Sequence, residues 1–263
     1  MSGGAVFSGS TTLGYFILGA FYILLPVTAW LVLKKAGTAS VWPVAVGAVV
    51  YFLTTRLSDL SACVIGASGD LAYKAAVSAE LVCVFEEVGR YLAMRYPVAN
   101  IKTMNSAVCY GIGHAGLECW IRGFGSLKIM SYGSRSLDSF TAGKAPEKAA
   151  QITERLAELA DHPLYMSLLD CICALSVFGV HIALSLLIFT KIKDTGLLRW
   201  LLAAIGLHYF VNCSGWLASF AEIPLVRDLV GIGSGMIVIA VVCRIIGIKD
   251  RIGQIRYPES RED

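Results

Sequence analysis

The sequence is poor in charged residues. Only 16% of its 263 residues are Asp, Glu, Lys or Arg, whereas 56% are hydrophobic, and the mean hydropathy is +0.68. These values exclude an ordinary soluble domain and are typical of polytopic membrane proteins. Long polar segments are absent too, so we predict one membrane-embedded domain over residues 1–263, with the lipid bilayer as its partner.

Other patterns are missing as well. No cluster of Lys and Arg is large enough to follow a phosphate backbone, which excludes nucleic acid as a partner. The first ten residues lack the basic segment of a cleavable signal peptide, so we expect a short tail before the first span. None of the eight cysteines forms a CxxC pair. We therefore predict no zinc–thiolate site, and reduced cysteines that act as small hydrophobic side chains.

Apolar stretches of about 20 residues cross a bilayer as helices. Seven candidates are present: Thr12–Leu33, Val41–Leu57, Leu71–Met94, Met104–Ile121, Leu164–Thr190, Leu197–Phe220 and Val226–Ile248. The predicted fold class is all-α, a polytopic transmembrane helical bundle of about seven spans. Ser61–Gly69 is apolar but too short to span, and we predict a re-entrant or interfacial piece there.

Basic residues set the predicted orientation. With seven spans they fall on one side of the membrane, after the odd-numbered spans: Lys34, Lys35, Arg95, Lys102, Lys191, Lys193, Arg199, Lys249, Arg251, Arg256 and Arg261. The opposite side has little net positive charge. We therefore expect the N-terminus outside and the C-terminus in the cytoplasm.

Residues 122–163 are predicted to form one long extramembrane loop. Within it, Pro146–Asp161 has a helical pattern, with Ile152, Leu156 and Leu159 on one face. The pattern fits an amphipathic helix on the membrane surface. It fits a short solvated helix that caps the bundle equally well.

Ionisable residues interrupt the third span, where Glu86, Glu87 and Arg90 lie in an apolar stretch. A charge at the bilayer centre costs roughly 2.5–3.5 kcal/mol on insertion scales, so such groups face a bundle interior or a cavity and usually mark function. The alternative is that these charges serve structure alone, for example through an ion pair between Glu86 and Arg90.

Further polar groups occupy the next three spans. His114 and Glu118 are four residues apart on one helix face, and His208 and Asn212 repeat that spacing. His181 lies between these pairs. Each residue alone could be a hydrogen-bond partner for packing, but the whole set is more than packing needs.

The set suits hydrolytic chemistry. A carboxylate beside a histidine can take a proton from water, and a second His with Asn or Arg can donate hydrogen bonds to an oxyanion. Zinc remains an option because His and Glu are zinc ligands. The HExxH signature is absent, so a reaction without metal or other cofactor is the favoured prediction. His162, beside a proline at a loop end, is expected to be a solvated bystander.

The motifs EExxR, GxGHxxxE, a lone His and HxxxN, between Leu81 and Asn212, resemble those of the glutamate-type intramembrane proteases. That superfamily includes the CAAX prenyl endopeptidase and bacteriocin-processing (CPBP) group and the PrsW group. The pattern is similar in particular to the YhfC family of bacterial membrane peptidases. The resemblance implies a peptide hydrolase in the bacterial cytoplasmic membrane that acts on membrane proteins or peptides.

The resemblance also implies roles. Glu86 would activate water, with Glu87 beside it and Arg90 anchoring the motif. His208 and Asn212 would bind the oxyanion.

The other roles that the resemblance implies fall on residues that differ from the family pattern. Glu118 stands where CAAX enzymes place the His of FxxxH and PrsW-like proteins a Glu, and His114 takes the Phe position. His181 matches the single His of the preceding span. The spacing EExxR replaces EExxxR, and the lost FxxxH motif argues against prenylated CAAX substrates.

Two other functions fit part of the pattern. The superfamily includes the scaffold subunit of gamma-secretase, so a non-catalytic membrane scaffold or binding protein is the alternative. The paired glutamates, which that scaffold lacks, favour an enzyme. A proton-coupled transporter could use Glu/His chains, but no inverted repeat or pair of broken helices is evident in the sequence.

Overall fold

The computed structural model describes residues 6–65, 71–96, 101–193, 196–219 and 223–247. Within these ranges the chain forms helices and no strand, which confirms the all-α prediction. The elements are α1 (Gly9–Lys35), α2 (Val41–Ile65), α3 (Leu71–Arg95), α4 (Met104–Gly133), α5 (Asp138–Thr141), α6 (Pro146–Ala160), α7 (Leu164–Lys191), α8 (Leu197–Ser219) and α9 (Pro224–Ile246).

The long helices match the predicted spans. Five of them, α1, α2, α7, α8 and α9, are long and apolar enough to cross a membrane. Helices α3 and α4 have 25 and 30 residues, which is sufficient length to cross, but their polar residues lower their hydropathy. The predicted sides of the termini stay predictions.

Two predicted boundaries were wrong. Helix α2 runs on to Ile65, so the first part of Ser61–Gly69 is regular helix, and the rest lies outside the described residues. Helix α4 runs on to Gly133, so the first part of the predicted loop 122–163 is also helix. No proline occurs between Arg122 and Ala145, and the α4 helix therefore meets no obligatory stop where its apolar run ends.

The amphipathic segment of the loop forms helix α6, as predicted. Its residue Leu156 is buried. The carbonyls of Leu159 and Ala160 accept hydrogen bonds from Tyr15 (3.1 Å) and Thr11 (3.2 Å) of α1. Helix α6 therefore packs on the end of α1. This contact fits a helix on the membrane surface as well as a solvated cap, and both stay predictions.

Helix α4 lies between α1, α2 and α7. Its approach to α2 requires glycine: a Cβ at Gly113 would overlap the backbone of Val44, and one at Gly47 would overlap the backbone of Tyr110. Because the two backbones touch, the side chain of His114 is carried into the interior, where it is fully buried.

The cysteines form no disulfide, as predicted. Four of them, Cys83, Cys109, Cys119 and Cys171, are buried within the bundle. Their role as small interior side chains agrees with the prediction, although two of them also meet polar groups. The backbone N–H of Ser40 donates to Sγ of Cys109 at 3.3 Å, and Cys83 has a partner described below.

Candidate functional site

Seven of the eight predicted site residues come together between α3, α4, α7 and α8. All seven are buried: Glu86, Glu87, Arg90, His114, Glu118, His181 and His208. The sequence placed them on four separate helices, and the packing of those helices brings them into one polar centre beside the apolar core.

The centre of this group is one oxygen of Glu86. Its Oε2 lies 2.9 Å from Nε2 of His114, 3.9 Å from Nδ1 of His181 and 4.0 Å from Nε2 of His208. Three imidazole rings from three different helices thus surround a single carboxylate oxygen. Such an arrangement can hold a water molecule or a metal ion at the carboxylate.

Glu87 faces a different set of partners. Its Oε1 lies 2.9 Å from Nδ1 of His208, and Arg90 donates to its two oxygens at 3.0 and 3.2 Å. A carboxylate only accepts hydrogen bonds, so Nδ1 of His208 must carry the proton of that contact. In a neutral ring, Nε2 of His208 then keeps its lone pair on the side of Glu86.

Arg90 links α3 to α7. Its Nη1 donates to the carbonyl oxygen of His181 (2.8 Å) and to the hydroxyl of Ser185. Its Nη2 lies 3.2 Å from Nδ1 of His181. The sequence suggested a clamp on Glu86, but the guanidinium pairs with Glu87 instead. Ser185 was missed, although it follows His181 by one helical turn.

Glu118 orients the other side of His181. Its Oε2 lies 3.1 Å from Nε2 of His181, and its Oε1 pairs with Arg122 at 2.8 Å. Sequence reasoning missed Arg122, although its spacing of four residues from Glu118 is a readable signal. A small cavity of about 70 Å³ borders both residues.

Asn212 is the predicted residue that does not join the group. It is exposed on α8, and its Nδ2 donates to Sγ of Cys83 at 3.2 Å. His162 is also outside the group: its Nε2 lies 3.1 Å from Oδ2 of Asp170. The expected solvated bystander is therefore a partly buried residue that lies beside a carboxylate.

The donor set fits a zinc ion. One ligand atom each from Glu86, His114 and His181 lie within 4.8 Å of one another, and both residue types are zinc ligands. Metal-bound histidines usually donate their other ring nitrogen to a carboxylate or carbonyl, and His181, one of the two histidines of this set, contacts Glu118 in that way. His114 departs from the rule, because its Nδ1 is buried without a hydrogen-bond partner.

These features define an integral membrane protein with a buried carboxylate–imidazole centre. The chain belongs to the YhfC family: the family described as YhfC intramembrane metalloprotease matches residues 21–224. It is similar to the uncharacterized membrane protein YhfC of Bacillus subtilis (strain 168), with 29% identity over 210 residues that cover 74% of this chain and 80% of that protein. No solved structure matches the chain.

Membership confirms the family predicted from the motifs and identifies the chain as a membrane protein. The family description supports a membrane protease activity and makes a metal ion a candidate cofactor. The matched region contains all the residues of the polar centre.

Proposed function

We propose that this protein hydrolyses peptide bonds of membrane-associated substrates within the bilayer. The observation that carries the proposal is the position of Glu86, whose Oε2 lies within 4.0 Å of ring nitrogens of three histidines. A buried carboxylate among imidazoles can hold a water molecule or a metal ion next to a histidine that accepts the proton. Ionisable side chains at membrane depth are also costly, and where they occur they usually mark a functional site.

Zinc is the cofactor that this donor set suits. Glu86, His114 and His181 would hold it, with Nε2 of His208 close to the same carboxylate oxygen. Zinc, when bound, supplies a Lewis acid for the scissile carbonyl and favours ionisation of water. The metal-free reaction favoured from the sequence rested on the missing HExxH signature. Residues from three helices can supply equivalent ligands without that signature.

Hydrolysis adds one water across the peptide C–N bond. The water oxygen bonds to the carbonyl carbon, the C–N bond breaks, and one proton moves from the water to the leaving nitrogen. His208 is suited to carry that proton, because Nδ1 is occupied by Glu87 and Nε2 faces Glu86. In this assignment His208 acts as acid and base, and Glu87 is a positioning residue.

Arg90 and Glu118 fix the remaining geometry. Arg90 neutralises Glu87 and holds the backbone of His181. Glu118 accepts from Nε2 of His181, which turns Nδ1 towards Glu86. Both residues are therefore expected to act by orienting the ligands rather than by touching the substrate.

The test is cleavage of single-pass membrane proteins by the purified chain in liposomes. We expect wild type and His162→Ala to cleave, and Glu86→Gln and His208→Ala to be at least 100-fold slower. Undiminished cleavage by both site variants would contradict the proposal. If no peptide bond is cut, and the same variants instead change a complex with a partner protein, the scaffold function replaces it.

A further inference from the structure

We propose that the groove between α1, α2 and α4 binds a phospholipid with an anionic headgroup. One acyl chain lies in the groove, and the phosphate lies at Lys34 and Lys35, the last two residues of α1. The groove shares no lining residue with the polar centre, and lipid binding is measured without turnover. The inference therefore does not depend on the proposed hydrolysis.

The groove is an apolar cavity with an open side. Its volume of about 320 Å³ lies within the range of about 300–1,000 Å³ that ligand pockets have. All eleven residues that line it are apolar, and three of them, Val27, Val41 and Trp120, are exposed. A cavity of this kind stays dry. In a bilayer the apolar group that can fill it is an acyl chain.

Tryptophans mark the two ends of the groove. At the inner end Trp120 donates from Nε1 to the carbonyl oxygen of Ile23 (3.2 Å), which holds the indole against α1. At the outer end is Trp30, seven residues further along α1 and one helical turn before Lys34. Seven residues of helix are about 10 Å long. The groove therefore begins beside the lysines and extends along the bundle, as an acyl chain below its headgroup does.

Positive charge lies at the outer end. The Nζ atom of Lys34 lies 5.1 Å from the ring centroid of Trp30, and Lys34 and Lys35 are both exposed. Within the part of the chain that the structure describes, no carboxylate forms an ion pair with either lysine. An ammonium group donates strong hydrogen bonds to a phosphate. The choline of a zwitterionic lipid would add a further cation here, so an anionic headgroup is favoured.

Helix α1 is long enough to hold these lysines among the lipid headgroups. Its 27 residues span about 40 Å, whereas the hydrocarbon core is about 30 Å thick. Val41, the first residue of α2, borders the same end of the groove, and the N-terminus of a helix favours an anion. Headgroup and acyl chain thus meet one continuous site.

Lipid titration followed by native mass spectrometry tests the headgroup. We expect the purified chain to bind its first dioleoyl phosphatidylglycerol at least tenfold more tightly than dioleoyl phosphatidylcholine. Lys34→Gln should weaken phosphatidylglycerol binding about fivefold, the effect of one lysine near an anionic lipid surface. Lys128→Gln is the matched control, because Lys128 is also exposed and lies 5.6 Å from the ring of Tyr132. Equal affinity of the wild type for both lipids, or equal losses in both variants, overturns the proposal.

Filling the groove tests the acyl chain. Ala48→Phe places a ring inside the groove, and Val49→Phe places the same ring on the neighbouring residue, which is exposed and does not line the groove. We expect Ala48→Phe to bind phosphatidylglycerol at least tenfold more weakly and Val49→Phe to bind like wild type. If both bind like wild type while Lys34→Gln binds more weakly, the lysines hold a lipid at the surface and the groove site is wrong.

Tryptophan fluorescence gives a readout that leaves the groove open. Brominated acyl chains quench nearby indoles, and the signal of Trp30 is the difference between wild type and Trp30→Phe. Trp216, exposed on α8, gives the reference signal through Trp216→Phe. We expect the ratio of Trp30 to Trp216 quenching to at least double when a minor brominated lipid in phosphatidylcholine liposomes is phosphatidylglycerol instead of phosphatidylcholine. An unchanged ratio contradicts the proposal, even if Ala48→Phe does not fold.

Discussion

Glu87 and His208 are joined by a 2.9 Å contact between Oε1 and Nδ1, at a point where both side chains are almost fully buried. The contact determines which nitrogen of the ring can face Glu86. Arg90 holds the carboxylate from the opposite side at 3.0 Å. Glu87 therefore contributes to the site through the tautomer and orientation of His208.

Glu87→Gln should lower kcat strongly. It also leaves the buried Arg90 without its anionic partner, which should lower the stability by about 3–5 kcal/mol, so cleavage is compared per folded molecule. The glutamine amide can donate to Nδ1, which moves the ring proton to Nε2 and removes the lone pair that faces Glu86. Losing the correct tautomer in a comparable His–carboxylate pair costs about 10⁴-fold, and we expect a fall of about 10²–10⁴-fold with little change in KM. The check is steady-state cleavage in liposomes. Glu158→Gln, in an exposed pair with Arg155, is the control and should cleave like wild type.

Arg90→Met should destabilise the protein, and a second change should partly restore its stability. Removing one partner of a buried ion pair leaves an uncompensated charge and costs about 3–5 kcal/mol, whereas replacing both partners by apolar groups is often neutral. We therefore expect Arg90→Met/Glu87→Leu to unfold nearer the wild-type midpoint than Arg90→Met. The measurement is thermal unfolding in detergent. Recovered cleavage by the double variant would contradict the positioning role of Glu87.

The fold followed closely from the sequence because bilayer thickness fixes helix length. Helix α7 was predicted as Leu164–Thr190 and observed as Leu164–Lys191. The end of α4 was missed because hydropathy reports the apolar run, and the helix continues beyond it through Gly133. Backbone hydrogen bonds, rather than burial, decide where a helix stops.

The sequence identified most residues of the site, but it did not show which of them contact one another. Residue spacing placed Glu86 and Glu87 about 100° apart on α3. In the structure Glu86 contacts His114 and Glu87 contacts Arg90, with His208 near both. Spacing within one helix cannot show contacts between helices, so the partnership of Glu118 with His181 was not predicted. The inward position expected for Asn212 came from the HxxxN resemblance. On α8 the packing turns His208 inwards and leaves Asn212 exposed.

Purified protein should bind about one zinc ion per chain through the Glu86 group. His114→Ala and Glu86→Ala each remove a ligand atom from this group. Losing a residue that only orients a ligand lowers metal affinity by about 10–100-fold, so losing a ligand should lower it at least as much. The measurement is metal content after dialysis against a weak chelator, with cleavage assayed in parallel. His162→Ala removes a histidine that lies outside this group, beside Asp170, and it should keep the metal. Equal zinc content in all four proteins would contradict the site.

Gly113→Ala should damage both stability and activity, because the added methyl has no room. Its Cβ would overlap the backbone of Val44, and backbone cannot rotate away as a side chain can. Forcing extra atoms into a packed interior costs about 1–3 kcal/mol. The separation of α2 from α4 would also shift the neighbouring His114 away from Glu86. The rate of cleavage should therefore fall by a larger factor than the fraction of folded protein.

Gly125→Ala is the control on the same helix, since its Cβ would meet nothing within 4 Å. It should gain up to about 1 kcal/mol from helix propensity. Equal unfolding midpoints for the two variants would mean that α2 and α4 are not in backbone contact.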